Sequence, residues 1–384
     1  MNWMDEITCE LNQMEEKSLK RSLREVDYQG AHQALIHGKQ CVLFCTNNYL
    51  GLSDHPEVQA RSQQALQRYG TSAQASPLIS GYFPIHRELS SATAKFKGAE
   101  SCLIFPTGFM ANLSAIASVI QEGDIILEDR LNHASLIDAA KLSKAKLNVY
   151  HHCDMNSLEK ILKRCSQFKK RLIVTDALFS MDGDVAPLAD ILSLAQKYEA
   201  MTLVDDAHGT GILGPGGQGI VHHLKLNAFP TLLMGTYSKA LASLGGFICA
   251  SQTWIDYLVN RARPFIYTTG LPPAVCGASL GAIEVIQKEP ERVQQLWKNA
   301  QTVRQALQAM GFKILPSEGP IIPIWVGKNE QALDQSTRLL EKGILVVPIR
   351  PPTVPSGTAR LRISVSATHT PEQLEQLITA FKGL

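Results

Sequence analysis

The chain has 384 residues, 45% of them hydrophobic and 19% charged, with 37 Lys and Arg against 35 Asp and Glu for a formal net charge of +2. That is apolar material for a sizeable core, in two domains or in one large α/β domain with an appendage. The near-balance of charge argues against a nucleic-acid or membrane footprint, and the basic run from Lys163 to Arg171 reads as a solvated helix end.

Residues 3–24 show helical spacing, with Ile7, Leu11 and Met14 on one face. This acidic, amphipathic start is unlike a secretory leader, and no apolar run in the chain is long enough to span a bilayer. A strand-like segment, Gln40 to Cys45, leads into the loop TNNYLGLSDHPEV. From about 86 to 250 strands alternate with helices. The strands are expected at Cys102–Phe105, Ile125–Leu127, Leu147–Tyr150, Leu172–Thr175, Thr202–Val204, Leu232–Met234 and Phe247–Ala250. Helical spacing occupies 109–121, 134–142, 155–167 and 187–199. Such alternation predicts a largely parallel sheet covered on both faces. Beyond it, helices at 274–288 and 291–310, strands near 321–326, 344–347 and 360–365, and helices at 330–342 and 371–382 suggest a smaller α/β lobe. The expected organisation is an arm at 1–46, a large domain at 47–285 and a small domain at 286–384. Eight cysteines without a C-x-x-C pair read as reduced thiols of a cytoplasmic protein, and no metal is expected.

Two segments carry the chemistry. In TLVDDAHGTG (202–211) an apolar strand ends in Asp205 and Asp206, whose side chains should point to opposite sides. The carboxyl ends of parallel strands are where α/β folds place ligands. In LMGTYSKALASLGG (233–246) another apolar run leads to Thr236, Ser238 and Lys239, followed by small residues. Desolvation there lowers a lysine's pKa and frees its amine as a nucleophile. Either residue alone is ordinary. Together they meet the demands of pyridoxal phosphate (PLP): a lysine for a Schiff base, and an acid that keeps the pyridine nitrogen protonated so the ring accepts electrons.

Other segments fit such a pocket. Thr107 and Gly108 precede a helical run, where free backbone N–H groups meet a phosphate. His133 stands ahead of another helix, and Ser180 and Asp182 follow a strand. Glycines 209, 211 and 214, and again 214, 216 and 219, match a dinucleotide fingerprint. Pro215 and the lack of any Asp or Glu between 207 and 255 dismiss it, and a nicotinamide-dependent oxidoreductase with it.

The segments NNYLGL (47–52), TGFMAN (107–112), NHASLIDAA (132–140), FSMDGDVAPL (179–188), VDDAHGTG (204–211), TYSKALASLGG (236–246) and IRPPTVPSGTARLRISVSATH (349–369) together resemble the α-oxoamine synthases. These are PLP-dependent transferases of fold type I that join an amino acid to an acyl thioester with loss of CO₂. The resemblance covers nearly the whole chain. It implies that Lys239 carries the cofactor and removes the substrate's Cα proton, and that Asp205 pairs with the pyridine nitrogen. His133 would stack on the ring, while His208 and Ser180 bond its phenolic oxygen. Backbone at Gly108 and Phe109 and the Thr236 hydroxyl would hold the phosphate. Asn47 and Arg362 would meet the substrate carboxylate, an arrangement that suits arginine's paired donors. Arg21 and Thr353 would border the acyl chain. It also implies a homodimer with shared active sites, Thr268 or Thr269 reaching the phosphate of the other copy. Within the family, RPPTVPSGTARLR is most similar to the biotin-pathway branch, which joins L-alanine to a pimeloyl thioester of CoA or a carrier protein. Glycine acetyl transfer is the nearest alternative, and a catalytically silent scaffold is the rival outside enzymes. One stretch departs from the family pattern: YGTSAQASPLISG (69–81) has Ala73, Gln74 and Ala75 where glycines are usual. That departure bears on the backbone near the substrate entrance and on acyl-donor choice.

Overall fold

A computed structural model describes residues 2–384. Its contacts divide the chain into two compact units.

The larger unit holds Leu50–Ser180 and Asp184–Gln294. Its sheet has seven strands: β1 (Ser101–Phe105), β2 (Ile125–Asp129), β3 (Lys146–Tyr150), β4 (Arg171–Asp176), β5 (Met201–Asp205), β6 (Leu232–Thr236) and β7 (Gly246–Ala250). They lie in the order β1-β7-β6-β5-β4-β2-β3. All neighbours run parallel except β7, which is antiparallel to both β1 and β6. Strands β2, β6 and β7 are buried at every position, because a sheet covered on both faces needs apolar side chains on both. Leu103, Ile116, Ile126, Val174, Leu203 and Ile248 belong to its core.

Each expected strand of this sheet is present. Among the described residues, three helices of ten residues or more in the unit lie outside the expected set, Pro56–Tyr69, Pro84–Lys97 and Gln252–Arg261, as do the single turns Ile220–His223 and Arg263–Ile266. The first buries only Val58 and Ala65, so its apolar stripe is too thin to register as a period. The glycine run from Gly209 to Gly219 is a loop, with Gly211, Gly214, Gly217 and Gly219 at positive φ.

The smaller unit holds the residues up to Tyr49, Met181–Gly183 and Gln295–Leu384. The breaks therefore fall after Tyr49 and after Gln294, where the sequence suggested 46 and 285. Strand Lys39–Leu43 pairs antiparallel with Gln33–Ile36 and parallel with Ile344–Leu345, so residues of the expected arm share a sheet with the C-terminal lobe. A second sheet joins Ile321–Gly327, Ala359–Ser364 and Val347–Ile349. The expected strand at 344–347 is thus two short strands in different sheets. Val42, Phe44, Val303, Ile322, Leu361 and Phe381 form this unit's core. The N-terminal helix stops at Glu16, well short of residue 24. Ser18 has φ +53, which no α-helix continues through, and no residue of the helix is buried to favour a longer one.

Candidate active site

Strands β4 and β5 are in register at their carboxyl ends, with Asp176 opposite Asp205. Asp205 is buried; its Oδ2 accepts from Asn112 Nδ2 at 2.7 Å and its Oδ1 from the Ala207 amide at 2.9 Å. Asp206 turns to the other side, as strand alternation requires, and meets Lys97 Nζ at 2.6 Å and the Ile220 amide at 3.2 Å. Burial raises the Asp176 carboxyl well above the carboxylate range, and the Asp205 charge pushes it the same way. Its Oδ2 accepts from the His133 amide at 2.8 Å.

His133 caps the helix Ala134–Ser143. Its Nδ1 lies 2.7 Å from Ser135 Oγ, which also accepts from Asn112 Nδ2 at 2.9 Å. Asn112 thus ties the histidine's support to Asp205. Withdrawal from bulk water lowers the His133 pKa and the Lys239 charge lowers it further, against the pull of Asp205. The ring is neutral at neutral pH and presents an uncharged face.

At the other end of the cavity the helix Gly108–Val119 begins, capped by Thr107, whose Oγ1 accepts from the Met110 amide at 3.1 Å. First-turn N–H groups have no carbonyl partner within their helix and favour an anion. Gly108 is packed so closely that a Cβ there would lie 2.9 Å from Met234 Cε. Thr236 Oγ1 is 2.6 Å from both Ser238 Oγ and the Gly245 carbonyl. Lys239, half-buried, lines the same cavity with Ser180, His208 and Phe109; the free space is about 500 Å³, its mouth included. An amine, a buried carboxylate, a neutral ring and a helix start beside two hydroxyls converge here. That donor set fits pyridoxal phosphate: a base for the imine, a partner for the ring nitrogen, a stacking face and a phosphate cup.

The remaining expected residues fall into other groups. In the smaller unit Arg362, buried, donates from Nη2 to the Tyr49 hydroxyl at 3.2 Å and from Nη1 to Ser364 Oγ at 3.0 Å. Tyr49 in turn donates to Asn47 Oδ1 at 3.3 Å, so the two residues expected at a carboxylate are joined through one phenol. Arg21 Nη2 is 3.5 Å from Thr353 Oγ1. Thr268 and Thr269 belong to the larger unit and are not among the residues lining the cavity. They precede Gly270, whose amide donates to the Ala75 carbonyl at 3.0 Å. Of the glycine-poor positions Ala73 is buried, and Gln74 takes φ +68, the left-handed conformation a glycine would supply freely.

Asn112, Ser135 and Asp176 complete the site without having been singled out for it. Asn112 stands four residues past Gly108, one helical turn along the same face, and Asp176 ends an apolar strand as Asp205 does; both signals were in the sequence.

The family model described as aminotransferase class I and II matches residues 39–381. The chain belongs to this family. The 8-amino-7-oxononanoate synthase of Symbiobacterium thermophilum is 42% identical over 378 residues, covering 98% of this chain and 96% of that one. The Geobacter sulfurreducens protein of the same name is 43% identical over 376 residues, covering 97% and 96%. Among solved structures, a serine palmitoyltransferase variant of S. paucimobilis with a bound PLP–myriocin aldimine superposes with a TM-score of 0.94 at 30% identity, covering 100% of this chain and 98% of that one. The Francisella tularensis 8-amino-7-oxononanoate synthase gives 0.78 at 26% identity, covering 89% and 97%. The fold is that of the type I PLP enzymes, and no helix among the described residues is long and apolar enough to cross a membrane.

Proposed function

We propose that this chain is a PLP-dependent acyltransferase that condenses L-alanine with a pimeloyl thioester, releasing CO₂ and the free thiol and forming 8-amino-7-oxononanoate, a step of biotin synthesis. The observation that carries this reading is identity of 42–43% along nearly the full chain to synthases of that name. A pocket that unites Lys239 with Asp205 stands behind it. The serine palmitoyltransferase superposes more closely than the F. tularensis synthase, but at 30% identity it is the more distant sequence beside the 42–43% relatives.

When bound, pyridoxal phosphate supplies an electron sink for negative charge at the amino acid's α-carbon. Lys239 would hold the cofactor, and its amine would serve as the base for the substrate's Cα proton. Asp205, fixed by Asn112 and the Ala207 amide, keeps a proton on the ring nitrogen. His133 contributes a neutral stacking face. Ser180 and His208 bond the phenolic oxygen. Gly108, Phe109 and Thr236 bind the phosphate by backbone N–H and hydroxyl, with Ser238 beside them. Arg362 and Asn47 take the substrate carboxylate, and Arg21 and Thr353 border the acyl chain. The active form is a homodimer in which Thr268 or Thr269 of one copy contacts the phosphate held by the other.

The test is turnover by the PLP-loaded protein. Alanine with pimeloyl thioester should give CO₂, free thiol and 8-amino-7-oxononanoate, with CoA and carrier-protein donors compared side by side. Turnover confined to glycine with a short acyl thioester would replace this reading by glycine C-acetyl transfer.

A further inference from the structure

We propose that His152 is a positioning residue for Ser180, bracing the turn that presents the Ser180 hydroxyl to the cofactor's phenolic oxygen. The inference rests on the role given to Ser180 above. Strands β2 and β3 end together, Asp129 opposite Tyr150, so His152 stands two residues beyond the carboxyl edge of the sheet. Its Nδ1 is 2.8 Å from Asp129 Oδ1 and its Nε2 is 2.7 Å from Asp184 Oδ2. Carboxylates only accept, so both ring nitrogens donate and the ring carries a charge. The other Asp129 oxygen accepts from the Cys153 amide at 2.9 Å, which fixes that carboxylate in turn.

After β4 the chain doubles back. Leu178 bridges Val185 antiparallel, and the Phe179 amide donates to the Asp184 carbonyl at 3.0 Å. Phe179 and Asp184 are therefore facing residues on the two limbs of this turn, and Ser180 is the next residue after Phe179. His152 touches both limbs: it bonds Asp184, and its ring meets Phe179 edge to face, with centroids 4.5 Å apart at 89°. Burial works against a charged His152. The hydrogen bonds His152 donates to Asp129 and Asp184 outweigh burial and hold its pKa up to about 12, so the brace stays charged throughout the neutral range. Asp129, Asp184, Cys153 and Phe179 are the groups facing it. A hydroxyl on a short turn keeps its aim only when its support is itself held, and His152 supplies that support from the sheet.

The experiment follows the visible absorption of the PLP-loaded protein with pH in the parent, Ser180→Ala, His152→Gln, Asp184→Asn and the Ser180→Ala/His152→Gln pair. Ser180→Ala is expected to move the midpoint by about half a pH unit or more. His152→Gln and Asp184→Asn should move it in the same direction, and the pair no further than Ser180→Ala alone. With saturating alanine, His152→Gln should lose about ten-fold in kcat with the KM for alanine unchanged, the pattern of a misaimed group and not of a lost binding contact. Circular dichroism and cofactor stoichiometry identify the folded variants, and the near-isosteric Asp184→Asn guards against a collapsed His152→Gln. A midpoint at the parent value in the folded brace variants, with Ser180→Ala shifted, overturns this inference and leaves the Ser180 assignment standing. An unshifted Ser180→Ala overturns both. Additive shifts in the pair would mean that His152 acts on the cofactor by its own charge, and would overturn the inference as well.

Discussion

Asp176 and Asp205 end neighbouring strands in register, yet their surroundings give them different work. Burial and then the Asp205 charge raise the Asp176 carboxyl pKa, which favours its neutral, amide-like form. Asp176→Asn should therefore retain activity within about ten-fold, whereas Asp205→Asn, which removes the charge at the ring nitrogen, should cost about 10²-fold or more in kcat. Steady-state kinetics on the two variants checks the contrast, and equal losses would contradict it. Asn112→Ala strips Asp205 Oδ2 of its donor and should weaken cofactor retention about ten-fold, read by equilibrium titration of apoprotein with PLP. Lys239→Ala should abolish both the visible absorption that survives dialysis and the borohydride-fixed label. Lys239 and Asp205 could be singled out in the sequence because Asp205 ends one apolar strand, Lys239 follows closely after another, and the chemistry needs the pair. Asn112 was harder to assign, since its partner lies 93 residues away and only the sheet brings a helix start beside that strand end.

At the scale of elements, the seven strands were legible because buried parallel strands are short, apolar and regularly spaced. The helix Pro56–Tyr69 was hidden by its polar surface, and the hairpin of Asp27–Gly30 with Gln33–Ile36 by its shortness. The glycine-poor loop takes positive φ at Gly70 and, where no glycine stands, at Gln74. Gln74→Gly should relieve that strain, partly offset by the entropy glycine adds to the unfolded chain, for a net gain of about 0.5–1 kcal/mol in chemical denaturation. An unchanged or lowered stability would contradict it. The turn braced by His152 carries a pH signature. Its folded pKa is raised from 6.5 to about 12, so its contribution to stability is complete below about 6.5 and fades as pH climbs toward 12. The Tm gap between parent and His152→Gln should accordingly be widest in mild acid and narrow in alkali; a gap that widens with pH would refute the charged brace.

For the whole molecule, sedimentation of the PLP-loaded protein should show a species of twice the chain mass. Thr268→Ala with Thr269→Ala should weaken cofactor binding without dissociating it, and an active monomer would refute the shared site. No period or motif in one chain displays what a second copy supplies, which is why this part rests on family likeness. The smaller unit takes its strands from distant stretches of the chain. Lys39–Leu43 and Ile344–Leu345 lie side by side in one sheet, some three hundred residues apart in the chain. As the polypeptide leaves the ribosome, the first of these must wait for nearly the whole remainder to be made before it gains its parallel neighbour. The seven-stranded sheet, complete once residue 250 has emerged, can assemble in the meantime, so translation itself orders the folding of the two units.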